Sequence, residues 1–270
     1  GSPDWNSRGE RGRRVAFLEE LGLLLGKERV VTDPERRRRL SRDFYRYSQV
    51  LTPFLDGRVA DAVAFPESEA EVLSVLGLAA GYGVPVTVRG AGTGNYGQAV
   101  PLAGGLVLDT SRMNRILEIS AGRARVEAGV KLGTLENAAR RGGQEVRIFP
   151  STYKKSSVAG FVAGGSGGIG SVTHGQLWDG NVRRVRVATA GPEPGIEEAG
   201  GEDVLPYVHA YGTTGVITEV ELPLAPAVEW TQLVTSFSLL EDALVFGDRL
   251  SRDDALRKRL VSISEAKIGP

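Results

Sequence analysis

Two glycine-rich stretches hold the residues best placed to do chemistry. The first, VRGAGTGNYGQ (residues 88–98), contains GTGNYG (Gly92 to Gly97), which satisfies the dinucleotide pattern G-x-G-x-x-G. The second, SSVAGFVAGGSGGIGS (residues 156–171), has six glycines in 16 residues and repeats that pattern at Gly165 to Gly170. A Rossmann unit needs a helix after the third glycine, because the helix points its N-terminus at the pyrophosphate. After Gly97 the chain reads QAVPLAGGLVLD: Pro101, the Gly104-Gly105 pair, then a strand. No helix fits there, and no long helix comes after Gly170.

The first loop still suits phosphate. Gly90, Gly92, Gly94 and Gly97 close a buried strand, and such a run can turn successive backbone N–H groups inward as a nest for an anion. Thr93 and Asn95 add short hydrogen-bonding side chains. A glycine-rich crossover with no ligand is the plainer alternative. The second stretch also reads as a G-x-S-x-G elbow, with Ser166 as nucleophile, His209 as base and Asp179 or Asp203 as the orienting acid. That elbow needs an apolar strand before it and a helix after it, and neither is clear. Ser166 reads better as a small residue where backbone nears a ligand.

These stretches must be positioned by α/β elements. Residues 1–55 read as an Arg-rich helical lead-in, with Leu18, Leu21, Leu24 and Leu25 on one stripe and Thr32-Asp33-Pro34 opening a second helix. DAVAF (61–65), a helix started by Pro66 and Ser68 and ended by Gly81 and Gly83, and PVTV (85–88) form a β-α-β unit with parallel strands. That helix buries Val72, Leu73, Val75, Leu76, Ala79 and Ala80. GLVLD (105–109) is another buried strand. ILEIS and RARVEAG flank Ala121-Gly122 as a hairpin, and a helix runs from about Thr134 to Arg141. VRRVRVATA (182–190) and ITEVELPL (217–224) are strands with one wet face, and residues 239–260 are helical in pattern. The domain reading is a lead-in over 1–55, two lobes over about 56–113 and 114–226, and the start of something further over 227–270. One glycine stretch in each lobe suggests a single long ligand between them, with a charged middle and flat rings.

Composition narrows the function. The 270 residues carry 33 basic and 33 acidic side chains, so nothing general favours nucleic acid or an anionic membrane. RGRR (Arg11 to Arg14) and RRRR (Arg36 to Arg39) are diluted by Glu10, Glu19, Glu20, Asp33 and Glu35. Solvated helix faces are the plain reading, an acidic docking partner the sharper one. The chain has no cysteine and only His174 and His209, which excludes disulfides, thiol chemistry and iron–sulfur ligation and disfavours a histidine metal site. No apolar run is long enough to span a bilayer, and the expected location is the cytoplasm. Gly1-Ser2 resembles an expression scar, which leaves a removed targeting segment open.

Three segments in order carry a family resemblance. PVTVRGAGTGNYGQAVPLAGGLVLD, FPSTYKKSSVAGFVAGGSGGIGSVTHG with NVRRVRV, and HAYGTTGVITEVELPL resemble the FAD-binding domain of the vanillyl-alcohol-oxidase (PCMH) type. Among these the chain is most similar to the FAD-linked oxidases that include glycolate oxidase subunits, D-lactate dehydrogenases and alkyl-dihydroxyacetone-phosphate synthases. The resemblance covers about residues 30–226. It implies an α/β (α+β), two-lobed PCMH-type FAD-binding fold: a small parallel β-α-β lobe and a larger mixed or antiparallel lobe with flanking helices, preceded by N-terminal helices.

The resemblance implies site residues too. Arg89, Gly90, Ala91, Gly92, Thr93, Gly94 and Asn95 would wrap the pyrophosphate, mainly through backbone N–H groups. Ser151, Thr152 and Ser157 would hydrogen-bond the flavin and its linker, with Gly160, Gly164, Gly165, Gly167 and Gly168 letting backbone lie against it. Gly215, Val216 and Ile217 would contact the cofactor by main chain and apolar faces, unless they form an ordinary turn into a strand. Many relatives attach FAD through a histidine where this chain has Thr93, so FAD is expected to be noncovalent. Tyr211 stands where relatives often carry a glutamate, and His174 where they carry an aromatic, which suggests packing before catalysis. Relatives continue into a substrate-shaping cap, of which Leu233 to Ile263 resembles only the entrance.

The implied activity is an FAD-dependent oxidoreductase that takes a hydride onto flavin N5 from a hydroxylated carbon, that of a 2-hydroxy acid. The substrate is a small molecule, the metal none, and the catalytic base unassigned. Two alternatives stay open: a flavin-binding subunit or fragment needing a cap or partner chain, and a ligand-free scaffold.

Overall fold

The computed structural model describes residues 11–265. Gly1-Ser2, Glu10 and the Lys267 to Pro270 ending lie outside the described residues. The lead-in forms α1 (Arg11–Leu25), the short strand β1 (Val30–Val31), α2 (Pro34–Leu40) and α3 (Thr52–Leu55). The buried stripe of α1 is Phe17, Leu21 and Leu25 rather than the expected leucine set, and Leu24 faces outward. An i, i+4, i+8 spacing keeps one face of a helix, and Leu24 falls off it. α2 opens as expected: the Asp33 side chain accepts from the Arg36 amide at 2.8 Å, with Pro34 in the first turn.

The first lobe continues with β2 (Ala62–Ala64), α4 (Glu69–Tyr82), β3 (Val86–Arg89) and β4 (Leu106–Asp109). Ser68 caps α4 through the Glu71 amide, and Gly83, at φ 67°, ends it in the left-handed conformation that suits glycine. α1 packs on α4, with Phe17 and Tyr82 edge to face at 5.7 Å. The sheet order is β1-β2-β4-β3, with β2, β4 and β3 parallel. The two strands of the expected β-α-β unit are therefore parallel but not adjacent, because β4 lies between them. Burial explains the order. Every residue of β4 is buried, whereas β3 is half-buried throughout and takes the edge.

The second lobe is built from β5 (Ile116–Ser120), β6 (Arg123–Glu127), α5 (Leu132–Arg141), β7 (Gln144–Val146), α6 (Val158–Gly164), α7 (Ser171–His174), β8 (Arg184–Ala188), β9 (Ile196–Gly200) and β10 (Val216–Pro226). Its antiparallel sheet runs β5-β6-β10-β8-β9, with β7 on the end of β10. α6 sits inside the second glycine stretch, in a run to which the sequence pattern assigned no element. Glycine lowers helix propensity, but Val158, Ala159, Phe161 and Val162 are buried, so packing outweighs propensity. Ala188 and Val216 of this lobe join the apolar core of the first, which fuses the two.

Beyond the lobes, α8 (Leu240–Arg252) ends earlier than the expected helix to residue 260. Asp253 and Asp254 come next, and negative charge opposes the dipole at a helix C-terminus. The segment after it is pinned by Arg259, whose guanidinium lies 4.6 Å from the Phe149 ring centroid and 5.6 Å from that of Trp230.

Candidate functional site

The two glycine stretches face each other across a cleft between the lobes, with about 1080 Å³ of empty space counting its mouth. β3 delivers the first stretch, and the turn before α6 delivers the second. They touch where Gly90 meets Ser157 and the Gly160 Cα, so closely that a Cβ at Gly90 would collide with the Ser157 hydroxyl. Ser157 caps α6 by accepting from the Gly160 amide at 3.2 Å.

Backbone polarity gives the cleft its character. Among the described residues, none of the amides from Gly90 to Asn95 donates to a protein acceptor. Unspent donors in a curved run are what an anion needs. The loop stands over a buried cation. Arg89 Nη1 donates to the Arg42 carbonyl at 2.7 Å, and Nε lies 3.3 Å from Asp109 Oδ2. Gly92, at φ 63°, passes so close to this guanidinium that a side chain would strike it. Burial pulls the Arg89 pKa down, against Asp109 and Asp43, which push it up. Burial likewise raises Asp109 and Asp43 above the ordinary carboxylate range.

A chain of hydroxyls ties the two stretches together. Thr93 Oγ1 lies 2.8 Å from Ser156 Oγ, which lies 2.7 Å from Thr152 Oγ1. The opposite wall is Tyr211, Gly212, Gly215 and Ile217. His209 and Tyr211 both adopt left-handed backbone, at φ 56° and 55°, a conformation uncommon for residues other than glycine. The Gly165 carbonyl can only accept, so the 2.7 Å contact with His209 Nδ1 places a proton on that nitrogen. Nε2 then accepts from the Tyr211 hydroxyl at 2.9 Å. Both ring nitrogens are thus engaged. Ser166 is exposed and preceded by a helix, and Asp179 accepts from the Gln176 amide at 2.8 Å. The hydrolase arrangement is absent from these residues.

Of the expected site residues, Gly90, Ala91, Gly92, Thr93, Gly94, Asn95, Thr152, Ser157, Gly160, Gly164, Gly165, Gly215 and Ile217 line one cleft. Arg89 lies beneath the loop. Val216 is buried in the core of the first lobe. Ser151 is exposed and away from the lining, Gly167 packs on Gln176, and Gly168 on the Phe149 carbonyl. His174 is outside the lining too, and burial lowers its pKa. The lining also includes Asp43, Tyr96, Gln98 and Ser156, which the sequence reading did not assign. Ser156 sat inside a quoted stretch, whereas nothing near Asp43 marked it.

A cleft between two lobes, lined by glycine backbone from both stretches and by amides free to bind an anion, with no Rossmann helix after the first stretch, is the setting a dinucleotide of the non-Rossmann kind requires. Residues 60–193 match the FAD binding domain family. The chain is 31% identical over 250 residues to a D-lactate dehydrogenase of Archaeoglobus fulgidus, covering 84% of this chain and 54% of that protein. It is 31% identical over 196 residues to the glycolate oxidase subunit GlcD of Escherichia coli, covering 69% and 39%. An alkyldihydroxyacetonephosphate synthase structure superposes with a TM-score of 0.69 at 22% identity, over 78% of this chain and 41% of the other, which shows the shared fold. Residues 60–193 are thus an FAD binding domain of the kind found in FAD-linked oxidases, the fold is the two-lobed PCMH-type fold, and the cofactor is FAD. It spans about half the length, or less, of these relatives.

The residues present fit that cofactor. The unspent amides suit the pyrophosphate, and bare glycine backbone at Gly164 and Gly215 suits flat rings. No helix among the described residues is long and apolar enough to cross a membrane, and no acidic or histidine cluster among them suits a metal.

Proposed function

We propose that the chain is the FAD-binding part of an oxidoreductase that removes a hydride from the hydroxyl-bearing carbon of a 2-hydroxy acid. Bound FAD supplies the hydride acceptor. The chain's own part is to grip the pyrophosphate with the Gly90 to Asn95 amides, hold the rings between its glycine walls and keep water out. The unspent amides beside Arg89 are the observation that carries the binding role. The substrate class is supported by the activities named for the lactate and glycolate relatives. The test is anaerobic mixing of the FAD-loaded chain with D-lactate, glycolate and a longer D-2-hydroxy acid. Loss of flavin absorbance at about 450 nm, a cofactor property, is the expected outcome. A flavin that stays oxidised with every acid tried would reject turnover by this chain.

One observation favours a second reading, an FAD-binding subunit or fragment completed by a cap or partner chain. Leu240 and Leu244, one turn apart on the same side of α8, are both exposed, an apolar pair at the start of the segment beyond the lobes. Under this reading flavin reduction appears only after the completing part is added.

A further inference from the structure

The cleft contains one polar atom that the fold leaves unmatched. Asp43 is 7% exposed and lines the cleft beside the first glycine loop. Its Oδ1 accepts the Tyr45 amide at 2.8 Å, while its Oδ2 is buried without a hydrogen-bond partner. The segment is held there firmly. The Phe44 amide donates to the Gly94 carbonyl at 2.7 Å, and the Tyr45 hydroxyl to Asp56 at 2.6 Å. The Gly97 and Ala99 amides and the Arg89 guanidinium face the carboxylate and favour its charged form, against burial. The two amides polarise the carboxylate, but no protein donor among the described residues comes within hydrogen-bond geometry of Oδ2.

A buried carboxylate oxygen without a donor is costly, so the donor has to come from what fills the cleft. A pyrophosphate cannot supply it, since its oxygens only accept and carry like charge. The donors that FAD carries beside its pyrophosphate are sugar hydroxyls, those of the ribityl chain on one side and of the adenosine ribose on the other.

We propose that Asp43 Oδ2 accepts a hydrogen bond from one of these sugar hydroxyls and so fixes where the dinucleotide sits along the nest. The inference rests on FAD as the cofactor and adds a residue to its recognition. It also accounts for Arg89, which lies under Gly92 and offsets the charge that Asp43 and Asp109 bring near the phosphates.

The test compares wild type with Asp43→Asn and Asp43→Ala. Affinity is measured by calorimetry for FAD, FMN, ADP and inorganic pyrophosphate, with circular dichroism to confirm folding. Asparagine keeps the size and an acceptor for the Tyr45 amide but loses the charged second oxygen. Both variants should weaken FAD by roughly 10- to 100-fold, the range for a hydrogen bond to a charged group. A matching loss with FMN assigns the ribityl hydroxyls, and one with ADP assigns the ribose. Pyrophosphate should bind as before or tighter, because a negative charge has left. Unchanged FAD affinity would overturn the proposal. So would an equal loss for all four ligands, which would mean that Asp43 only shapes the loop. A wild-type chain that took no FAD at all would instead overturn the cofactor reading, and this proposal with it.

Discussion

Arg186 on β8 forms a two-pronged ion pair with Glu69 at the start of α4, joining the two lobes. Nε donates to Oε2 at 3.0 Å and Nη2 to Oε1 at 2.8 Å. A bulge in β10 leaves Thr218 unpaired in the β8–β10 ladder, and its hydroxyl turns to Glu69 Oε2 at 2.8 Å. Arg186 holds the Glu69 carboxyl below its ordinary pKa, against burial. A depressed carboxylate pKa stabilises the fold above the unfolded value of about 4.3. That contribution is lost as pH falls through the folded pKa. Arg186→Lys removes the fork while keeping the charge. It should cost about 1 kcal/mol at neutral pH, read as a lower urea midpoint. The difference from wild type should shrink in acid. A midpoint equal to wild type at pH 7 would show that the pair does not hold the lobes.

The nest predicts its own sensitivity. Gly92 needs φ 63° and has Arg89 directly beneath it, while Gly90 abuts Ser157 and Gly160. Gly92→Ala adds left-handed strain of about 1 kcal/mol and forces the guanidinium aside. FAD affinity should fall at least tenfold while far-UV dichroism stays unchanged. Gly122→Ala offers the control. It also sits at positive φ, 75°, but lies in open space at a hairpin tip, so it should lose some stability and no FAD affinity. Equal FAD loss in the two variants would remove the first loop from recognition.

The far wall predicts a different pattern. His209 and Tyr211 hold left-handed backbone, and the imidazole links the Gly165 carbonyl to the Tyr211 hydroxyl. Asparagine tolerates that backbone and a β-branched residue does not. His209→Val should therefore destabilise more than His209→Asn, by about 1 kcal/mol or more. Thermal melts of the two variants decide the point, and equal melts would mean that the wall relaxes freely.

How far the site could be read in advance differs from residue to residue. The strand–loop–strand geometry around Gly90 to Gly97 was legible because Pro101 and Gly104-Gly105 forbid the helix that a Rossmann unit needs. α6 was not, since glycine-rich sequence argues against a helix and only burial of Val158, Phe161 and Val162 selects one. Strand order was hidden too. Local pattern gave β2 and β3 as parallel, but placing β4 between them depends on the whole sheet's burial. Asp43 left no local signature. Its nearness to the nest arises because the lead-in folds back and the Phe44 amide meets the Gly94 carbonyl, a contact set by tertiary structure alone.

The mode of FAD attachment depends on which side chains can reach the cleft. A covalent link needs a nucleophilic side chain against the flavin. The chain has no cysteine, and both of its histidines lie off the lining. Thr93 stands in the loop with its hydroxyl spent on Ser156 at 2.8 Å, and an unactivated alcohol is a poor nucleophile. Tyr96 and Tyr211 are the phenols in the lining, and Tyr211 already donates to His209. Acid precipitation of the FAD-loaded protein should therefore send all the yellow colour to the supernatant, leaving a colourless pellet. Colour retained in the pellet would point to a tyrosyl link. Tyr96→Phe and Tyr211→Phe, tested one at a time, would then show which phenol made it.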